Sequence, residues 1–485
     1  MKIQLETGFA KVSLEKAFLR TTPIADEICV RALAVRHGQA NGILLSLDIE
    51  GDRGHMVTLV RQHVADATEI HIDRIACCCT HNHGAVTLNM SIDEIAKISA
   101  IAATQAIAAM QPTEIARFTV RPDPPLCICR RVKAPQIGTF TFWFGHRDRG
   151  NGKADGSYLL KSEIDNLASG NVQFLRCKGS SPKDDNAASS EDASPLYFPS
   201  ANDQELQGLF FRSIDGRPLG TILRFPAHAV TANVGNVSWR SGDYPVYATA
   251  EVEKHFGGIA LFLQGTAGDQ APIIEAKSLE LAQTLGTKLG QYALSALSNI
   301  AWETDSTFEM ISPSFTLRAR ETFLMNVDQV NVEQEAIIDQ LTAMSKSAKP
   351  PLALMKALCE RHEAIGQIHA GTPRIWGQTS PESAVSEGIN FKGCAIRFGT
   401  TILAGWPGEL FGIYTERLRR VTGLGERLIT AGMVNGDIGY FPTMEEYLKG
   451  SYEVGECFFQ SDSEIRLLNG MWQAIERLKP VKSRC

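Results

Sequence analysis

The chain has 485 residues, 44% of them hydrophobic, which is enough for a substantial core in one large domain or in two to three average ones. Its formal net charge is −6 and no basic run is interleaved with aromatics, which argues against nucleic acid or another polyanion as partner. No stretch reaches the ~18 consecutive apolar residues of a membrane span, and Met1 to Gly8 lack the apolar core of a signal peptide, so the expectation is a cytoplasmic protein without a transmembrane segment.

The first third reads as an α/β unit. Strands are expected at Ile28 to Val35, Gly42 to Asp48 and Ile75 to Cys79, with helices near Arg53 to Ala67 and Ser91 to Met110. Such alternation implies a sheet with helical cover. Eleven cysteines is an odd count, and several sit in apolar strand-like runs, which fits reduced, buried thiols rather than a secreted disulfide framework. Cys77, Cys78 and Cys79 would point to alternate faces of their strand, and no C-x-x-C partner exists, so a thiolate metal cluster is not expected. The C-x-C pair Cys127 and Cys129 reads the same way.

Residues 150–200 are rich in Gly, Ser, Asn and Asp and read as a flexible surface insertion, most clearly from Ser180 to Asp192. Pattern resumes with a strand at Leu219 to Phe225, a helix at Pro245 to His255, a strand at Ile259 to Gln264 and a helix at Leu279 to Leu297, which suit a second α/β layer. Residues 332–370 have helical periodicity broken by Lys349-Pro350-Pro351 and read as a helical hairpin, a packing arm before a lid. The last part returns to a strand at Ala395 to Leu403, a helix at Gly408 to Arg420, a strand at Arg427 to Ala431 and a Gly- and aromatic-rich loop ending near Tyr452.

The chemistry concentrates at apparent strand exits. Cys79-Thr80-His81-Asn82-His83-Gly84 follows an apolar strand; alternation would put His81 and His83 on one side, and Gly84 permits close approach of backbone or substrate. Alone, such a pair is as well explained by two hydrogen-bonded histidines. Three further segments combine ligand-capable side chains with Gly or Pro: Phe225 to Thr231 with His228, Gly405 to Phe411 with Glu409, and Asn435 to Thr443 with Tyr440. Strand ends of one sheet can converge in space. Each residue also has a plainer reading: His228 in a turn, Glu409 favouring a helix N-terminus, Tyr440 packed in an aromatic loop.

At these residues the chain resembles the neutral/alkaline (non-lysosomal) ceramidase family, which carries T-H-x-H-[SG], an F-x-x-H turn, a P-G-E segment and G-Y-x-[PT]-T-x-x-E-Y in this order. Ser46-Leu47-Asp48, Ser241 to Pro245, Phe262 to Pro272 and Tyr452-Glu453 extend the match across most of the chain. The resemblance implies an α/β fold of mixed sheets covered by helices with a helical hairpin insertion, forming a single catalytic domain over 1–485 without the C-terminal immunoglobulin-like domain that many members carry. It further implies a zinc ion (Zn2+) held by His81, His228, Glu409 and Tyr440, with His83 and Tyr440 as catalytic groups, Tyr440 as ligand or as donor to the oxyanion. Two imidazoles and a carboxylate are a sensible hydrolytic zinc set. Asp48, Asp243 and Asp269 either orient the ligand histidines or serve as caps and turns. The remaining histidines, in polar or helical stretches, read as surface residues.

Two departures concern the substrate. Ala271 in Gly268-Asp269-Gln270-Ala271-Pro272 stands where ceramidases commonly have serine, and Gly84-Ala85-Val86 replaces serine-glycine-proline after the second histidine. The expected function is hydrolysis of an amide (N-acyl) bond by metal-activated water in a small, lipid-like substrate other than long-chain ceramide. An esterase or lactonase on the same metal, or a noncatalytic ligand-binding homologue, are the alternatives. A metal-free carbohydrate enzyme using Glu409 and Asp437 leaves the histidines unexplained.

Overall fold

A computed structural model describes residues 3–19, 23–51, 55–134, 138–142, 174–176, 195–197, 199, 201–232, 239–274, 277–303, 307–347, 351–375 and 379–479. The expected insertion at 150–200 lies outside the described residues apart from Pro199 and two short strands, Phe174–Arg176 and Pro195–Tyr197, which pair with each other.

The architecture is an α/β sandwich of mixed sheets covered by helices. Eight strands form the larger sheet, in the spatial order Ile259–Gln264, Pro218–Phe225, Leu206–Ser213, Gln111–Val120, Leu5–Ser13, Cys29–His37, Ala40–Leu47 and Ile75–Cys79. The segments expected to make a second α/β layer therefore join the first sheet. Gln111–Val120 is the reason, because it pairs with Leu5–Ser13 on one side and Leu206–Ser213 on the other.

A second, four-stranded sheet stacks on it, in the order Phe308–Ile311, Cys394–Phe398, Thr401–Gly405 and Leu428–Ala431. The segment expected as one strand over Ala395 to Leu403 is two antiparallel strands. The chain reverses at Gly399, whose φ of +57° suits glycine, so Phe398 pairs with Thr401.

Strand periodicity sorts the core into layers. Ala76 and Cys78 face the second sheet, with Leu44, Leu261, Ile396 and Leu403, while Ile75, Cys77 and Cys79 face the helices Met56–Thr68 and Ile92–Ala108. Helices Asp243–His255 and Leu279–Ser295 cover the other half of the large sheet. Ile413–Thr422 and Ser463–Leu478 cover the second sheet. Both N-caps that open Ile92–Ala108 and Leu279–Ser295 are serines, Ser91 and Ser278, accepting from Glu94 N and Leu281 N. In the segment expected as a hairpin arm, helices Val327–Ser345 and Leu352–Ile375 contribute Val330, Ile337 and Ile365 to the core under the second sheet; Lys349 and Pro350 lie outside the described residues.

What positions the site is the direction of three pairs of parallel strands. Ala40–Leu47 and Ile75–Cys79 run parallel, as do Pro218–Phe225 and Ile259–Gln264, and Thr401–Gly405 and Leu428–Ala431. The segments carrying His81, His228, Glu409 and Tyr440 all leave from carboxyl ends of these parallel strands, two from each sheet.

Candidate metal centre

His81 reaches the site by a turn rather than by strand alternation. The strand ends at Cys79, and His81 adopts a left-handed φ of +59°, a conformation non-glycine side chains rarely take. Its backbone N–H donates to Ile49 O at 3.1 Å, and its ring Nδ1 lies 2.8 Å from Glu50 O. Next along the chain, Asn82 bridges to Ala229, and His83 N donates to Ala229 O at 3.1 Å, which ties this turn to the one bearing His228. Gly84 allows the approach of backbone: a Cβ there would sit 2.4 Å from Ser241 O. Gly84→Ala should push the His83 turn off its seat, costing about 1–3 kcal/mol of stability by overpacking. Urea unfolding checks this; an unchanged midpoint would show that the contact gives way freely.

His228 is placed by the Gln270–Pro272 strand. Its backbone N and ring Nδ1 both face Gln270 O, at 3.3 and 3.0 Å. A carbonyl can only accept, so each Nδ1 carries the proton and each Nε2 turns inward as an acceptor.

Glu409 was expected to open a helix. Instead Gly408, at φ +90°, breaks the local path, and Glu409–Leu410 forms a short parallel ladder with Tyr440–Phe441 in which Glu409 is the direct partner of Tyr440. The helix begins only at Ile413. A Cβ at Gly268 would lie 2.5 Å from Glu409 O, so close backbone packing holds the ladder from behind.

The result is one compact group. Glu409 Oε2 lies 3.1 Å from His81 Nε2 and 2.8 Å from His228 Nε2, and one ligand atom from each residue falls within 4.8 Å of the others. All three residues are less than 9% exposed. His81 Nε2 is a buried polar atom without a hydrogen bond. Three convergent acceptors in a buried site repel one another unless a cation sits among them. In the protein alone a proton has to serve: against the cost of burial, Glu409 lifts His81 to about 9, and the imidazoles hold Glu409 well below the usual carboxylate range. Burial and Arg130 push His228 down to about 4. The donor set fits a divalent ion of imidazole-compatible type, which would displace that proton.

Tyr440 OH lies 3.2 Å from His228 Nε2 and accepts from Arg130 Nη2 at 3.1 Å. His83 stands beside the group, its ring centroid 5.0 Å from that of His81, and among the described residues it is not in the convergent set. Desolvation, then His81 and His228, keep His83 well below its ordinary pKa, even though its ring edge reaches solvent.

The three aspartates turn out to be structural. Asp48 pairs with buried Arg31 and accepts from Cys29 N; Asp243 accepts from Ala232 N and Tyr244 N; Asp269 accepts from Gly412 N. Backbone carbonyls, not carboxylates, orient both histidines. Sequence reasoning missed Arg130, Arg131 and Glu50. Arg130 and Arg131 are buried against Glu453, and Arg130 also donates to Gly268 O at 3.0 Å. Two adjacent arginines directly after the buried strand Cys127–Cys129 were the available signal. A cavity of about 690 Å³ lined in part by Arg131, Asp269 and Phe411 touches none of His81, His83, His228, Glu409 or Tyr440.

Fold and site together define a layered α/β protein with a candidate His, His, carboxylate metal centre at the carboxyl ends of its parallel strands. The particular likeness is to neutral ceramidase. The structure of the enzyme from Pseudomonas aeruginosa superposes with a TM-score of 0.61 at 14% identity, covering 100% of this chain and 76% of that one. A ceramidase complexed with C2 matches with the same TM-score and identity over 77% of its chain. The chain therefore has a ceramidase-like fold. No family model and no curated protein matches it in sequence.

Proposed function

We propose that the protein is a zinc-dependent hydrolase of an amide (N-acyl) bond whose substrate is not long-chain ceramide. The observation that supports this most is the set His81 Nε2, His228 Nε2 and Glu409 Oε2, converging within 4.8 Å with both Nδ1 protons tied to carbonyls. On a ceramidase-like fold, this favours carbonyl hydrolysis. Zinc bound there would lower the pKa of a water molecule toward ~7 and polarise the substrate carbonyl.

The chain's own residues supply the rest. His83, neutral at pH 7, takes a proton from water at one ring nitrogen and returns it to the leaving nitrogen. Tyr440 receives the Arg130 N–H on its oxygen and turns its own O–H to Glu409; with a cation on Glu409 that proton would be released to stabilise the developing oxyanion. Its distance to His228 Nε2 also puts it within reach of a fourth ligand position. Tyr440→Phe separates the two: as oxyanion donor its loss should reduce kcat by roughly 10²–10³ with metal affinity unchanged. A parallel fall in zinc affinity would make Tyr440 a ligand instead.

The change of substrate rests on Ala271, buried beside Gln270 and offering no hydroxyl where ceramidases commonly have serine. We place the protein in the cytoplasm, a setting that suits nine free cysteines among the described residues, eight of them buried. Among these residues no helix is long and apolar enough to cross a membrane. The test is hydrolysis of N-acyl amides, matched esters and ceramide by zinc-reconstituted protein. Metal-dependent amide cleavage exceeding that of ceramide is expected. Ester cleavage with no amide rate would make it an esterase or lactonase; faster turnover of long-chain ceramide would overturn the substrate reading.

A further inference from the structure

We propose that Glu50 is the positioning residue of His83, so that one residue aims both imidazoles, His81 with its carbonyl and His83 with its carboxylate. The inference rests on the hydrolytic reading above. Glu50 is 4% exposed and sits just beyond the strand Ala40–Leu47, at the mouth of the metal centre. Its backbone is held on both sides, since Glu50 N donates to Ala85 O at 3.1 Å and Ile49 O accepts from His81 N. The carboxylate is thereby fixed relative to the His81 to Gly84 turn.

Two roles compete for a buried carboxylate here. As a metal ligand it would belong to the convergent group, but among the described residues that group holds only His81, His228 and Glu409. What Glu50 Oε1 does approach is His83 Nδ1, at 3.6 Å. That is ion-pair range rather than hydrogen-bond contact. A carboxylate oxygen facing Nδ1 favours the tautomer with the proton on Nδ1, leaving the Nε2 lone pair as the basic site. This is the logic by which a buried carboxylate holds the histidine of a catalytic triad, applied to a base beside a metal.

The experiment is 15N-histidine NMR of zinc-loaded protein, with kinetics and metal content, on wild type, Glu50→Gln and Glu50→Leu. Side-chain replacement leaves the Glu50 carbonyl on His81 intact, so zinc stoichiometry should stay at the wild-type value. Wild-type His83 should carry its proton on Nδ1. Glu50→Leu should shift the ring toward the other tautomer and lower kcat by roughly 10–100-fold with KM little changed. Glu50→Gln, nearly isosteric, removes the carboxylate charge too, so it should shift the tautomer and lower the rate in the same direction as leucine; it also serves if the leucine variant does not fold. Unchanged tautomer and rate in both variants would overturn the proposal, and so would zinc lost in step with activity. If wild type cleaves no amide or ester, the hydrolytic reading falls, while the tautomer measurement, which needs no substrate, still decides whether Glu50 holds His83.

Discussion

His81→Ala should yield folded protein that no longer retains zinc at micromolar concentrations and has lost at least ~10³ of its turnover, about 4 kcal/mol of barrier at 1.36 kcal/mol per decade. The expectation follows from the donor count. With His81 gone, only His228 and Glu409 remain of the convergent set, and Tyr440 is a weak substitute at 3.2 Å from His228 Nε2. Folding should survive for a separate reason. The His81 ring bonds a backbone carbonyl through Nδ1 and pairs with Glu409 through Nε2, but Glu409 keeps His228 at 2.8 Å when His81 is lost, and the φ of +59° is strained for any residue with a Cβ, alanine included. Metal analysis after dialysis, circular dichroism and the amide assay decide it together. A metal-free variant that still turned over substrate would reject the mechanism.

Glu453→Leu should be the most destabilising single change in the wall of the site, by about 3–5 kcal/mol. Glu453 is fully buried and binds two guanidinium groups, Arg130 Nε at 2.9 Å and Arg131 Nη1 at 2.8 Å, with Thr141 Oγ1 donating at 2.7 Å. Its removal leaves two buried cations: Arg131 keeps Glu446, and Arg130 keeps the neutral oxygens Gly268 O and Tyr440 OH. The pH dependence has a definite sign. Burial raises the Glu453 pKa, but Arg130 and Arg131 outweigh it and hold the folded-state value below the ordinary 4.5. The contribution is therefore complete above about pH 4.5 and is lost as pH falls through the lower folded-state value. Urea unfolding at pH 7 and at descending pH should show wild type and Glu453→Leu converging in acid. A constant difference down to pH 3 would mean the loss is packing rather than charge.

Much of the architecture was legible because burial on both faces writes itself into strands. Ile75–Cys79 and Ile259–Gln264 fall where their apolar runs predict, and the helices Ile92–Ala108 and Leu279–Ser295 carry the apolar spacing and serine caps that mark them. Boundaries failed where a glycine reversed or broke the chain, as at Gly399 within an expected single strand and at Gly408 ahead of an expected helix. Leu5–Ser13, Gln111–Val120 and Leu206–Ser213 went unread, and without them the two α/β segments look like separate layers. Pairing partners far apart in sequence leave no local mark.

The candidate site divides along the same line. The residue types and their strand-exit setting are present in the sequence: a histidine pair after an apolar strand, a histidine after Phe225-Pro226-Ala227, a carboxylate after Pro407-Gly408 and a tyrosine after Gly439. What the sequence could not supply is which nitrogen turns into the candidate site, because that depends on carbonyls from elsewhere, Glu50 O for His81 and Gln270 O for His228. Nor could it show Arg130 bracing Tyr440, a contact across 310 residues. The sequence by itself determined the fold class, the ligand-capable side chains and their placement at strand ends, since these follow from local periodicity and residue chemistry. Only the tertiary structure decided that those strands belong to two stacked sheets and that His228 and Glu409, 181 residues apart, converge on one candidate cation position. A metal centre is a set of distances, and distances between remote segments are fixed by how the sheets pair and pack.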